Sequence, residues 1–322
     1  MRCLARRKAG QFALRASDGT TAWQSSPINS LNPTLAAANG VVYFSNTTYH
    51  NGQSITHPAP AILAFRGSDG HLLWQHTFAA QDQIMSTPVV ANGKVYVGVG
   101  ASLAVLRASD GALLWRIATN LHGLSSLEQM TVTADSVYLL IEEPATSDPN
   151  PTGIDVHLAA LGANSATQRW LVDFGGSNTI ELRNAPVVAN GVVYVGLDCC
   201  TILGDQPGAP LLYALRAADG TQLWRHQVPP AGFSAGGDLV SGPVLANGAL
   251  YVSTSDGFVS AMRQSDHALL WQRQPGVQGR QILTSETTIL AATDQALFVE
   301  NAFGILAIRP SDGATIWQYR AG

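Results

Sequence analysis

The chain has 322 residues, of which 12% are charged, and a net charge of −4, so it lacks the basic footprint of a nucleic-acid binder. Length alone would allow two domains. No run approaches the roughly eighteen consecutive apolar residues of a membrane-spanning helix, and the aliphatic, glycine-rich composition without long helical periodicity indicates an all-β protein.

In chain order, the first recognisable element is also the one that recurs. Ala13-Leu-Arg-Ala-Ser-Asp-Gly-Thr-Thr-Ala-Trp23 returns around Trp74, Trp115, Trp170, Trp224, Trp271 and Trp317, so every tryptophan belongs to the unit. Arginine stands eight residues before six of these tryptophans, as Arg15, Arg66, Arg107, Arg216, Arg263 and Arg309. The copy at Trp170 is the weakest and has Gly162 there. Aspartate stands five before the tryptophan in the same six copies, as Asp18, Asp69, Asp110, Asp219, Asp266 and Asp312. Gly19, Gly70, Gly111, Gly220 and Gly313 stand four before it. The unit reads as a β-hairpin with glycine at a positive-φ turn position and aspartate bonded to the local backbone. One hairpin cannot bury an indole of ~150–250 Å², so each tryptophan is expected to lie on a neighbouring copy.

A second hairpin precedes most units. Leu35 to Phe44, Pro88 to Val97, Pro186 to Val195 and Pro243 to Val252 each join two β-rich runs through Asn-Gly, the strongest two-residue turn signal. Thr131 to Leu140 and Thr288 to Val299 are degenerate copies. Two hairpins make a four-stranded unit, and tryptophans 41 to 55 residues apart give the period of propeller blades. The fold expected is an all-β propeller of four-stranded antiparallel blades, six complete and a partial seventh, forming a single domain over residues 1–322. The chain opens inside a blade, so residues 1–30 read as a partial first blade, truncated at its N-terminus. The opening residues also lack the apolar core of a signal peptide.

Strand direction sorts the loops. Tight, uniform turns share one face, whereas Ser45 to Ala59, Glu142 to Asp155, Asp198 to Pro210 and the blade-to-blade connections share the other. Long irregular loops on a rigid scaffold are where binding residues are expected. These loops carry His50, His57, His122, Glu142, Glu143, Asp148, Asp155, Cys199, Cys200, Asp205 and Asp238. The four carboxylates from Glu142 to Asp155 lack the Asp-x-Asp-x-Asp-Gly spacing of a calcium loop and read as a solvated acidic loop. His50 and His57 without a third ligand read as surface residues, so no metal site is assigned. Cys3 has no evident partner, and three cysteines make no disulfide framework.

The pattern Ala-x-x-x-x-x-Gly-x-x-x-Trp, preceded by Pro-Val-Val-x-x-Gly-x-Val-Tyr-Val, resembles the pyrroloquinoline quinone (PQQ) type propeller repeat, including its tryptophan-docking motif. Ala13, Ala64, Ala160, Ala214, Ala261 and Ala307 match the motif's small residue, with Val105 the exception. The chain departs from the family in having arginine where Asp or Asn is usual and aspartate where Thr is usual. The resemblance implies that each indole docks on the adjacent blade, so that Trp115→Ala would cost about 3–5 kcal/mol. The family is mostly extracytoplasmic and divides into PQQ- and calcium-dependent dehydrogenases and non-catalytic propellers, among them the outer-membrane assembly lipoprotein.

Cys199-Cys200 is similar to the vicinal pair that covers the quinone in the dehydrogenases, but the residues after it do not match. No segment matches the family's calcium or catalytic-aspartate motifs, and no haem-attachment sequence is present. The reading is therefore a non-catalytic binding or scaffolding propeller with no cofactor and no catalytic residue. Its loop-rich face and channel mouth would meet a protein or peptide partner. A PQQ- and calcium-dependent oxidoreductase, or its relic, is the alternative, and carbohydrate or small-ligand recognition at the channel is a third reading.

Overall fold

A computed structural model describes residues 2–3, 12–14, 20–24, 34–46, 59–79, 82–84, 86–100, 102–118, 126–144, 154–165, 167–177, 185–197, 211–228, 239–275, 287–301 and 304–319. All its regular structure is β. The first sheet has three strands, β1 (Arg2–Cys3), β2 (Phe12–Leu14) and β3 (Thr21–Gln24). The second is β4 (Leu35–Ala38), β5 (Val41–Asn46), β6 (Ala61–Arg66) and β7 (Leu72–Thr77). The third is β8 (Val89–Ala91), β9 (Lys94–Val99), β10 (Ser102–Arg107) and β11 (Leu113–Ala118). The fourth is β12 (Ser126–Val132), β13 (Ser136–Pro144), β14 (Ile154–Gly162) and β15 (Gln168–Ser177). The fifth is β16 (Val187–Ala189), β17 (Val192–Leu197), β18 (Leu211–Arg216) and β19 (Gln222–Gln227). The sixth is β20 (Leu239–Ala246), β21 (Ala249–Thr254), β22 (Val259–Arg263) and β23 (Leu269–Arg273). The seventh is β24 (Thr288–Ala292), β25 (Leu297–Asn301), β26 (Gly304–Ile308) and β27 (Thr315–Tyr319).

In every sheet the strands lie side by side in chain order, as a meander does, which matches the six complete repeats and one partial repeat read from the sequence. The chain forms two compact units, residues 1–137 with 161–167 and residues 138–160 with 168–322.

The strand types follow from the residues. The two middle strands of a sheet are covered on both faces and read as continuous apolar runs, such as Lys94-Val-Tyr-Val-Gly-Val99, buried from Val95 to Val99. The fourth strands alternate: in β11 only Trp115 and Ile117 are partly covered, while their neighbours face water. In the first unit, Tyr43, Ile62, Ala64 and Trp74 of the second sheet pack on Val95, Val97, Ala104 and Leu106 of the third. In the second unit, Trp170 and Leu158 pack on Val193, Val195 and Tyr213 of the fifth sheet.

Both turn types are as the sequence predicts. Asn39, Asn92, Asn190 and Asn247 have φ of 51–52°, and the glycines after them have φ of 68–76°. Two consecutive positive φ values are what the type I′ turn requires. In the third-to-fourth hairpin the register slips by a bulge, so that the small residue falls opposite the tryptophan: Ala64 with Trp74, Ala214 with Trp224, Ala261 with Trp271 and Ala307 with Trp317. Val105 faces Trp115 in the exceptional copy.

Several strands run into segments that the sequence reading treats as loops, β12, β13 and β15 among them. β12 begins at Ser126, β13 continues to Pro144, and β15 continues to Ser177.

Candidate functional site

In the described turns, the residue that follows the repeat arginine is the hub of the tight-turn end. Its N–H closes the sheet on itself: Gly67 donates to the Gly40 carbonyl at 2.7 Å, Ala108 to Gly93 at 2.9 Å, Ala217 to Gly191 at 2.9 Å and Gln264 to Gly248 at 2.9 Å. Its carbonyl receives the indole of the preceding sheet. Trp23 Nε1 donates to Gly67 at 2.7 Å, Trp74 to Ala108 at 2.9 Å, Trp170 to Ala217 at 3.0 Å and Trp271 to Pro310 at 2.8 Å. One residue thus ties together two turns of its own sheet and the indole of the preceding sheet.

The arginine and aspartate that depart from the family pattern serve the same turn. Arg66 pairs with Asp69 at 2.8 Å, Arg107 with Asp110 at 2.7 Å, Arg216 with Asp219 at 2.9 Å, Arg263 with Asp266 at 2.6 Å and Arg309 with Asp312 at 2.9 Å. The other carboxylate oxygen accepts the backbone N–H two residues on, from His71, Ala112, Thr221, Ala268 or Ala314. That backbone bond, reinforced by the arginine, holds the Asp69, Asp110 and Asp266 carboxyls below their usual range and that of Asp219 at about 2. These pairs are half-exposed, so they order a turn rather than form a reactive centre.

Neighbouring turns are also joined. Asn92 Nδ2 donates to the Thr133 carbonyl at 2.9 Å and Asn247 Nδ2 to Asp294 at 2.8 Å. The polar groups of this end are largely spent on architecture.

Of the residues singled out by sequence on the long loops, His50, His57, His122, Asp148, Cys199, Cys200, Asp205 and Asp238 lie outside the described residues, as does Gly19. Glu142, Glu143 and Asp155 are described. They do not lie in a solvated loop: Glu142 and Glu143 end β13, Asp155 begins β14, and Glu143 is only 8% exposed. The strand brings Glu143 to His157, a residue sequence reasoning missed. His157 Nε2 lies 3.7 Å from Glu143 Oε2, and its Nδ1 lies 3.6 Å from Asp173 Oδ1 on β15. The signal was there in the alternation of β14, where Val156, Leu158 and Ala160 fill the core and Asp155 and His157 take the other face. This row of carboxylate, imidazole and carboxylate spans three adjacent strands. Among the described residues, no group of three or more His, Cys, Asp or Glu is placed to hold a metal ion. No helix among them is long and apolar enough to cross a membrane.

The family model described as outer membrane protein assembly factor BamB matches residues 8–146 and 154–321. The BamB protein of Yersinia pestis is 27% identical over 168 residues, covering 50% of this chain and 38% of that protein. Tetrathionate hydrolase of Acidithiobacillus ferrooxidans is 24% identical over 342 residues, covering 97% of this chain and 63% of that protein. The matches therefore span less than two thirds of the length of these curated relatives. Among solved structures, BamB from Moraxella catarrhalis superposes with a TM-score of 0.65 at 17% identity, over 98% of this chain and 81% of that one. The quinohemoprotein alcohol dehydrogenase of Comamonas testosteroni gives 0.64 at 13% identity, over 99% of this chain and 65% of that one. At such identities the structural likeness is one of fold. With nearly its whole length matched by the family model, and with the tryptophan docking of a PQQ-like β-propeller in its sheets, the chain belongs to the outer membrane protein assembly factor BamB family.

Proposed function

We propose that this chain is a non-catalytic scaffold that holds a protein partner on the long-loop end of its sheets, in the assembly of outer membrane proteins. The observation that carries the reading is the family match over residues 8–146 and 154–321. Support for the choice of end comes from the turns, whose donors and acceptors are committed to one another. The mechanism is passive. Rigid sheets fix where the loops begin and end, and a scaffold that does not rearrange on binding lowers the cost of association.

The test is affinity capture from an envelope extract of the source bacterium, with the purified chain as bait, followed by identification of the captured proteins. Enrichment of outer-membrane assembly components by the native chain, abolished when the Ser45 to Ala59 and Asp198 to Pro210 loops are replaced by short glycine-serine links, supports the reading. Capture that survives both replacements, or no enrichment over an unrelated propeller, contradicts it.

A further inference from the structure

Two joints break the docking rule, those that receive Trp115 and Trp224, and the second brings two imidazoles together. Gly70, Gly111, Gly220 and Gly313 have φ of 69–74° and lie beneath the preceding indole, where a Cβ would collide with the ring. In the sixth sheet the residue at this position is His267, with φ of 50°. Its ring lies 5.0 Å from that of Trp224, tilted by 40°. Among the described residues the Trp224 Nε1 makes no bond to the Gln264 carbonyl of the kind made by Trp23, Trp74, Trp170 and Trp271. The Gln264 side chain instead donates to Tyr194 Oη at 3.0 Å.

A second imidazole completes the departure. His226 stands two residues after Trp224 and so on the same face of β19, and its ring lies 5.6 Å from that of His267. The Nε2 of His226 is buried without a hydrogen-bond partner. In the first unit His76 occupies the equivalent place after Trp74, but there it meets the backbone of Gly111, which can receive its proton. Where His76 finds a carbonyl, His226 finds another base.

We propose that this joint between the fifth and sixth sheets is proton-sensitive, holding with uncharged imidazoles at neutral pH and loosening on mild acidification. The charged groups on the packed elements do not offset a second proton. Arg225 flanks His226 on β19, and Arg273 ends β23. In the His267 turn, Asp266 is engaged by Arg263 at 2.6 Å and by the Ala268 N–H. From β17 comes only the Tyr194 phenol, with its ring 6.0 Å from Trp224. Among the described residues no carboxylate pairs with either imidazole.

Burial, and then the charge of a protonated His267, push His226 below its ordinary value of 6.5. The unfolded chain takes up both protons near that value, so below it the unfolded state binds more protons than the folded one. Stability therefore falls as pH falls, until the folded pKa of His226 is passed. Each unit by which that pKa is depressed removes about tenfold from the folding equilibrium.

Hydrogen exchange followed by mass spectrometry tests this at about pH 7.5 and about pH 5.5, either side of the imidazole range, with intrinsic rates corrected. The proteins compared are the native chain, His267→Gly, His226→Gln and His76→Gln. The expected result is a selective loss of protection, about tenfold or more, in the segments carrying β18 to β19 and β22 to β23 at the lower pH. His226→Gln should remove most of that loss and His267→Gly part of it, because burial still acts on His226, and His76→Gln should leave these segments as they are. His267→Gly restores the residue found in the four regular joints, so it keeps the test valid if His226→Gln does not fold. An equal loss in the native chain and in His267→Gly, or no selective loss in the native chain, overturns the proposal.

Discussion

A methyl group added to Gly220 would stand 2.8 Å from Cε3 of Trp170, closer than carbon atoms approach, so the glycine is the floor on which the preceding indole rests. The Trp170 Nε1 bond to Ala217 lies three residues away in the same turn. Gly220 meets two demands at once, because its φ of +74° also disfavours any side chain. Gly220→Ala should therefore cost about 2–4 kcal/mol, the sum of left-handed backbone strain and overpacking. Urea unfolding followed by circular dichroism measures it. A cost within error of zero would mean that the indole is free to move away.

The docking sites are not equal, and the difference is testable. Trp74 is 9% exposed and bonded to Ala108, so Trp74→Ala should cost about 3–5 kcal/mol. Trp115 differs: its Nε1 is buried without a partner, and the Ala163 carbonyl accepts from Tyr96 Oη at 3.3 Å and Lys94 Nζ at 3.2 Å. Trp115→Phe removes a donor that bonds nothing, so it should cost less than Trp74→Phe, which breaks a bond worth about 1 kcal/mol. Thermal midpoints of the two variants decide the order.

The repeat aspartates give an acid limit with a defined sign. Asp219 is held at about 2 by the Thr221 backbone and then by its side chain and Arg216, against 3.8 for the free group. A depressed carboxyl stabilises the fold above its unfolded value and loses that contribution as pH falls from 3.8 toward 2. Asp219→Asn should flatten the urea midpoint over that window relative to the native chain. Added salt should have a smaller effect, because the leading cause is a backbone hydrogen bond rather than the arginine charge.

Most of the scaffold is legible in the sequence because its information is local. An Asn-Gly pair sets two φ values, and a glycine four residues before tryptophan marks both a bulged turn and the floor of the preceding indole. The partial first sheet is legible too, since a meander can be counted from its turns. What the sequence does not disclose depends on where strands end. Glu143 reads as part of an acidic loop, yet β13 extends to Pro144 and carries it into a buried contact with His157. His267 reads as one degenerate glycine, and only packing reveals that it meets Trp224 and His226. The functional loops have no repeat to constrain them, so neither periodicity nor turn chemistry assigns their residues a partner.

The central claim is that this propeller binds without catalysing, and a calorimetric titration of the purified chain with PQQ in the presence of calcium tests it most directly. A folded chain that gives no heat of binding is the predicted result, with Cys199→Ser/Cys200→Ser behaving identically. Binding at micromolar concentration or tighter, weakened by the double substitution, would contradict it and make the cysteine pair the lid of a quinone site.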